Sequence, residues 1–190
     1  GDLKSLNLFR TFVTDRGLTT VTGFSKLRQL DLTNTQVTER GIAKLASLSE
    51  LRELSLWDTP INDMALPPLA KLEHLETLNL QITPITDRGA VALATFPALK
   101  RLSLVATLIT DDGVKTLSTL ENLELLDLRR TSVSDDALES LARLKNLKVL
   151  RLADTKTTTI GRLKLGNRLP GCRITDSRTA PPPRQPPRRP

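Results

Sequence analysis

The sequence predicts an α/β solenoid, a coil of repeated strand-and-helix units, and three observations carry that prediction. First, Leu3, Leu27, Leu51, Leu75, Leu99, Leu123 and Leu147 stand 24 residues apart, and each opens the same phrase, L-x-x-L-x-L-x-x-T. A fixed period of that length marks a stack of one supersecondary unit that buries its apolar side against its neighbours. Second, no insertion or deletion interrupts the first six units. Third, the spacing of apolar residues changes inside each unit from two to three or four, as Leu30 and Leu32 give way to Val37, Ile42, Leu45 and Leu48. Period two belongs to a strand and the longer spacing to a helix, so each unit is a short strand followed by a short helix.

The strand comes first in each unit, with its fourth- and sixth-position leucines turned into the core. Where it ends, the ninth position is Thr in every unit: Thr11, Thr35, Thr59, Thr83, Thr107, Thr131 and Thr155. A hydroxyl both donates and accepts, and a stack of them is expected to bridge backbone groups of neighbouring units. The helix start follows, with Thr14, Thr38, Asn62, Thr86, Thr110 and Ser134 suited to accept from its unpaired amides. Asp15, Glu39, Asp63, Asp87, Asp111 and Asp135 come next, acids suited to a helix N-terminus. Two residues on stand Gly17, Gly41, Ala65, Gly89, Gly113 and Ala137, all small, which implies close approach of neighbouring helices despite the weak helix propensity of Gly. Pro67 and Pro68 should break or shorten the helix of the third unit.

Each strand can pair only with those before and after it, in parallel, while the helices stack outside. The expected shape is a horseshoe, with the sheet on the concave face and the helices on the convex one. Seven strands about 4.8 Å apart give an inner face on the order of 30 Å long, enough for a protein or peptide footprint. The seventh unit keeps Leu147, Leu150, Leu152 and Thr155 and then loses the pattern, as a terminal cap does. Pro170, Gly171, Cys172, Arg173 and Ile174 should add a last edge segment, with Cys172 and Ile174 turned inward. The repeat domain is thus placed at residues 1–175, with a Pro/Arg-rich tail over 176–190.

That tail, holding half the prolines of the chain and no large apolar residue, cannot bury a core and is expected to be disordered, in part polyproline. Pro183, Pro186 and Arg188 fit P-x-x-P-x-R, a ligand pattern for SH3 domains that also arises by chance in such tracts. The first repeat begins at Leu3 with no polar cap over its leading edge, from which upstream sequence is expected. Localisation is left open for that reason.

The formal net charge of +7 suggests nucleic acid until it is located. Arg173, Arg178, Arg184, Arg188 and Arg189 against Asp176 place +4 in the last eighteen residues, leaving +3 over the array. Scattered cations without Tyr and with few other aromatics make neither a stacking platform nor a recognition helix, so specific nucleic-acid binding is not expected. No apolar run reaches the length of a membrane span. A lone Cys172 cannot form an internal disulfide, and without His or Cys neighbours it reads as a small buried hydrophobe. The only histidine, His74, falls in a loop. No triad, zinc spacing or phosphate loop is present, so neither catalysis nor a cofactor nor a metal is expected.

The functional expectation is therefore binding. Third-, fifth-, seventh- and eighth-position side chains should face the hollow. Trp57, Ile82, Val105 and Ala106 are expected as an apolar centre, with Gln81 among them and Asp58, Arg101, Asp127, Arg129 and Arg130 as a charged border. An apolar anchor within a charged rim is how many protein interfaces are built. An architectural spacer remains the other reading of the same array.

The run L-x-x-L-x-L-x-x-T-x-I-T-D-x-G, seen from Leu75 and again from Leu99, resembles the ITDxGL-type units of bacterial leucine-rich-repeat proteins. LPGCRI at 169–174 is similar to the LPxCxI ending of such arrays. The resemblance covers about nine-tenths of the chain and implies a leucine-rich-repeat solenoid acting as a protein-interaction domain, often part of a larger protein. The units are also similar to the cysteine-containing repeats of F-box adaptors, which hold substrates for ubiquitin ligases. Those repeats usually carry Cys where this chain carries Thr.

Overall fold

A computed structural model describes residues 2–176. Among them, eight three-residue strands form one open sheet: β1 (Ser5–Asn7), β2 (Gln29–Asp31), β3 (Glu53–Ser55), β4 (Thr77–Asn79), β5 (Arg101–Ser103), β6 (Leu125–Asp127), β7 (Val149–Arg151) and β8 (Arg173–Thr175). All pairs are parallel, the order is sequential, and the register keeps the 24-residue period, so Leu6, Leu30, Leu54, Leu78, Leu102, Leu126, Leu150 and Ile174 lie side by side. The sheet has one strand more than the count of full units because the LPGCRI ending supplies β8. Cys172 and Ile174 pack against the core from there.

The helices are short and of two kinds. Those of units one, four and five, α1 (Asp15–Val21), α4 (Asp87–Leu93) and α5 (Asp111–Leu117), are α-helical from their first turn. In unit two α2 (Glu39–Ile42) passes into a 3-10 turn, Ala43–Ser47. Units three and six begin instead with 3-10 turns, Asp63–Ala65 and Asp135–Ala137, before single α turns, α3 (Leu66–Leu69) and α6 (Leu138–Leu141). The prolines of unit three are therefore not the whole cause of its short helix, since unit six has the same form without them. What the two share is Ala65 and Ala137 where the other units carry Gly. The chain of helices closes with α7 (Thr159–Arg168).

One contiguous core runs between sheet and helices. The fourth- and sixth-position leucines of units two to seven are buried, as are Val37, Ile61, Ile85, Ile109 and Val133 behind the turns. Burying each such side chain contributes roughly 1.5–3 kcal/mol, repeated at every turn of the coil. Only the leading unit departs from this: Leu6, Leu8 and Val13 are partly buried.

The acids after the caps do more than face a helix dipole. Asp15 accepts from the Thr38 amide at 2.7 Å and the Thr38 hydroxyl at 2.6 Å, clamping the cap of the following unit with both carboxylate oxygens. Asp63 does the same for Thr86, Asp87 for Thr110, Asp111 for Ser134 and Asp135 for Thr158. A Cβ on Gly41, Gly89, Gly113 or Gly161 would stand 2.2–2.4 Å from the clamping oxygen, so Gly at this position makes room for the carboxylate of the preceding unit. The small residues thus mark close approach, as the sequence implies, and the structure names the group that approaches. Side-chain caps form at Thr38, Asn62, Thr86, Ser134 and Thr158 but not at Thr14 or Thr110.

The threonine ladder is corrected in its partner. Each ninth-position hydroxyl donates to the carbonyl three residues earlier in its own unit, Thr35 to Leu32, Thr59 to Leu56 and Thr83 to Leu80 at 2.6–2.7 Å, rather than bridging to a neighbouring unit. The reason lies one residue earlier. Arg10, Asn34, Asp58, Ile82, Ala106, Arg130 and Asp154 all take φ between 52° and 58°, and this left-handed residue folds the chain back so that the hydroxyl meets its own strand end.

Candidate partner-binding face

The sheet presents its third- and fifth-position side chains on the face opposite the leucines, and the turns continue that face. Past the strands the hydrogen-bond ladder goes on: the amides of Asn34, Asp58, Ile82, Ala106 and Arg130 donate to the seventh-position carbonyls of Trp57, Gln81, Val105, Arg129 and Ala153 in the next unit, at 2.8–2.9 Å. Asp31, Asn79 and Asp127 each accept the amide two residues on, which fixes the crook of the turn.

On this scaffold the ten residues expected to contact a partner divide into two sets. Ile82 is 46% exposed, Asp58, Arg101 and Arg130 are exposed, and Trp57, Gln81, Ala106 and Arg129 are partly buried. Val105 and Asp127 are not available as surface, since Val105 is 7% exposed and Asp127 1%. Val105 sits at the seventh position, past the strand end and inside the crook, where Thr33 and Ala153 are buried too. Asp127 lies beneath two arginines: Arg129 grips it with Nε and Nη2, both at 2.8 Å, and Arg151 adds Nη1 at 3.0 Å. One buried carboxylate between two guanidiniums leaves an excess of positive charge at that place. Arg151, absent from the expected set, is thereby part of the same cluster. The sequence signal for it was the third-to-fifth-position alternation itself.

The face is polarised along the coil. Asp31, Glu53 and Asp58 against Arg10 leave units one to three acidic, whereas Arg101, Arg129, Arg130, Arg151 and Arg173 against Asp127 and Asp154 leave the face basic from unit five onward. Arg101 reaches back to the Thr77 hydroxyl at 2.9 Å and comes within 3.9 Å of Glu53. A second line of ion pairs joins Arg52 to Glu76 and Lys100 to Glu76, and the Lys100 ammonium holds the Glu76 carboxyl below the usual carboxylate range. Two buried side-chain polar atoms on this face, Trp57 Nε1 and Ser103 Oγ, have no hydrogen-bond partner among the described residues.

Elsewhere the residues singled out by type have structural places. His74 is exposed in the turn before β4. Cys172 is partly buried, and burial pushes its thiol up, against a smaller opposing effect of the Leu150 backbone. Residues 177–190, with Pro183, Pro186 and Arg188, lie outside the described residues. Among the described residues no helix is long and apolar enough to cross a membrane.

A parallel sheet of identical units with an open, side-chain-rich face is a repeat solenoid of the binding class. The family model for the leucine-rich repeat region matches residues 2–162, and the chain belongs to the leucine-rich-repeat family. Among solved structures it is similar to internalin C2 of Listeria monocytogenes strain 4b F2365, with 25% identity and a TM-score of 0.68 over 90% of this chain and 79% of that one. It is also similar to an internalin F of the same strain, at 21% identity and a TM-score of 0.55, covering 94% of this chain but 62% of that one, a likeness of fold alone. No curated protein sequence matches the chain. Family and neighbour together make the chain a protein-interaction module in the general sense, of a kind that is generally non-enzymatic.

Proposed function

We propose that the chain is a non-enzymatic module that holds a protein or peptide on its sheet face, with Trp57 as the anchor. The observation that carries this reading is the apolar pair of part-buried Trp57 and exposed Ile82 set between an acidic and a basic end of one continuous face. Aromatic residues ringed by charge are the usual centres of binding energy. Polarised charge orients the partner, with its basic part toward Asp58 and its acidic part toward Arg129 and Arg130.

Two substitutions separate face from core. Trp57→Ala should weaken partner binding by about 2 kcal/mol, roughly thirtyfold, with a small effect on melting. Leu102, fully buried, should show the reverse on change to Ala, losing roughly 2–5 kcal/mol of stability. A photoreactive residue at position 57 supplies the partner, with position 91 on the exposed helix side as the control. Capture of one polypeptide at 57 and not at 91 supports the reading, while equal capture at both, or equal melting losses for the two alanine variants, defeats it.

A further inference from the structure

The eighth positions of consecutive units form a row, because each turn amide donates to the next unit: Asp58 to Gln81, Ile82 to Val105 and Ala106 to Arg129, all at 2.9 Å. At about 4.8 Å per step, the four side chains Asp58, Ile82, Ala106 and Arg130 span roughly 15 Å. All four have φ between 52° and 58°. Asn and Asp tolerate that conformation best and a β-branched residue least. Asn34, Asp58 and Asp154 follow the preference; Ile82 does not, and at 46% exposure it gains little from the core in return. Its placement answers to something outside the unit.

From Asp58 to Arg130 the row reads acid, large apolar, small apolar, base, with Arg10 and Asn34 before this stretch and Asp154 after it. Read backwards, it is its own complement. We infer that a second copy of this chain docks against the row about a two-fold axis between Ile82 and Ala106, so that Asp58 of each copy meets Arg130 of the other and Ile82 of each meets Ala106 of the other. A two-fold interface uses one patch twice, so the patch must be self-complementary in charge and in shape, and this row is both. The shape is on the surface already. Ala106, Leu108, Arg130, Ser132 and Asp154 line an open hollow of about 610 Å³. Large Ile82 beside this hollow is the knob that the second copy inserts. In the adjoining row Pro84, exposed, meets Leu108, 59% exposed, under the same axis. Asp58 is held in place by the Asn34 side chain, whose Nδ2 donates to Asp58 Oδ2 at 2.5 Å, which lowers the entropy lost on pairing. A contact built on one row is smaller than a standard interface, so the pairing is weak and depends on concentration and salt.

This inference rests on the reading of the turn residues as a contact surface and names the occupant of that part of it. The test is charge exchange on the full chain, followed by sedimentation velocity over a concentration series. Asp58→Arg and Arg130→Asp each put residue types into the turn that it already carries elsewhere, at Arg10 and Asp154, so folding is preserved and a melting curve checks it. Each single variant sets like charges at both ends and should weaken self-association at least about tenfold. The double variant, and an equimolar mixture of the two single variants, should recover it. A chain that stays monomeric at the highest concentration reached, or a double variant as weak as the single ones, overturns the inference. If the chain stays monomeric while position 57 still captures a foreign polypeptide, self-pairing falls and the sheet-face reading stands; if it dimerises and 57 captures nothing else, the opposite holds.

Discussion

The clamp between units makes a quantitative prediction at Asp87 and Gly113. Asp87 accepts the Thr110 amide at 2.8 Å and its hydroxyl at 2.6 Å. Asp87→Ala removes two hydrogen bonds to a charged acceptor and strands a partly buried amide, a loss of about 3 kcal/mol at values of 1.5–3 for each such bond, discounted for exposure. Gly113→Ala brings a Cβ to 2.2 Å from Asp87 Oδ1. The substitution gains about 1 kcal/mol of helix propensity but pushes the clamp open, for a net loss of roughly 1–2 kcal/mol. The lower end applies if unit five takes the 3-10 start that unit six uses to fit Ala137 beside Asp111. The double variant has no carboxylate to collide with and keeps the propensity gain, so its loss should be about 2 kcal/mol, less than that of Asp87→Ala alone. Urea unfolding followed by far-ultraviolet circular dichroism reads these differences, and each kcal/mol moves melting by roughly 2–4 °C in a domain of this size. Losses that simply add, about 4–5 kcal/mol for the double variant, would refute the claim that glycine is there for the carboxylate.

Two further outcomes follow from the turns and the acids. Ile82→Asn replaces a β-branched residue at a φ of 52° with one suited to it, and should raise stability by about 1 kcal/mol, whereas Ile82→Val should not. A melting comparison in dilute solution decides it, and an Asn variant no more stable than wild type removes the strain argument. Asp15 is subject to burial, which raises its pKa, and to hydrogen bonds from the Thr38 side chain and amide, which together lower it further. Asp135 is held low by the Thr158 hydroxyl and amide. With folded values below unfolded ones, both carboxylates stabilise the fold above about pH 4, and that contribution is lost as pH falls through the folded values. The fall in urea midpoint between neutral and acid pH should be smaller in Asp15→Asn/Asp135→Asn than in the parent, and an unchanged fall would count against the clamps.

What the sequence shows and what it conceals divide along sequence distance and period. The leucine register was legible because burial repeats at one spacing: an error of one residue would put Leu30, Leu54 and Leu78 on the solvent side together. The strand and helix of each unit follow from the same pattern. The clamp was not legible, because an Asp just after a Thr is also what a helix start looks like, and its true partner lies 23 residues ahead. A signal existed in the company it keeps. Gly41, Gly89, Gly113 and Gly161 each follow a clamping Asp of the unit before, and after Glu39, which makes no such pair of bonds, the third unit carries Ala65. Ala137 after Asp111 shows why this was a tendency and not a rule, since the backbone can tighten to 3-10 instead. On the binding face, strand alternation turns Arg101 and Asp127 away from the leucines because both belong to strands, though Arg129 and Arg151 then cover Asp127. It failed at Val105 because the seventh position has left the strand, and the left-handed turn that follows tucks it inward. Periodicity therefore predicts which side of the sheet a side chain takes as far as the last ladder pair of the strand, but not whether its neighbours cover it, as they do Asp127. Beyond that point the turn geometry decides, and it is there, at Asp58, Ile82, Ala106 and Arg130, that neighbouring units differ in chemistry while sharing one backbone conformation.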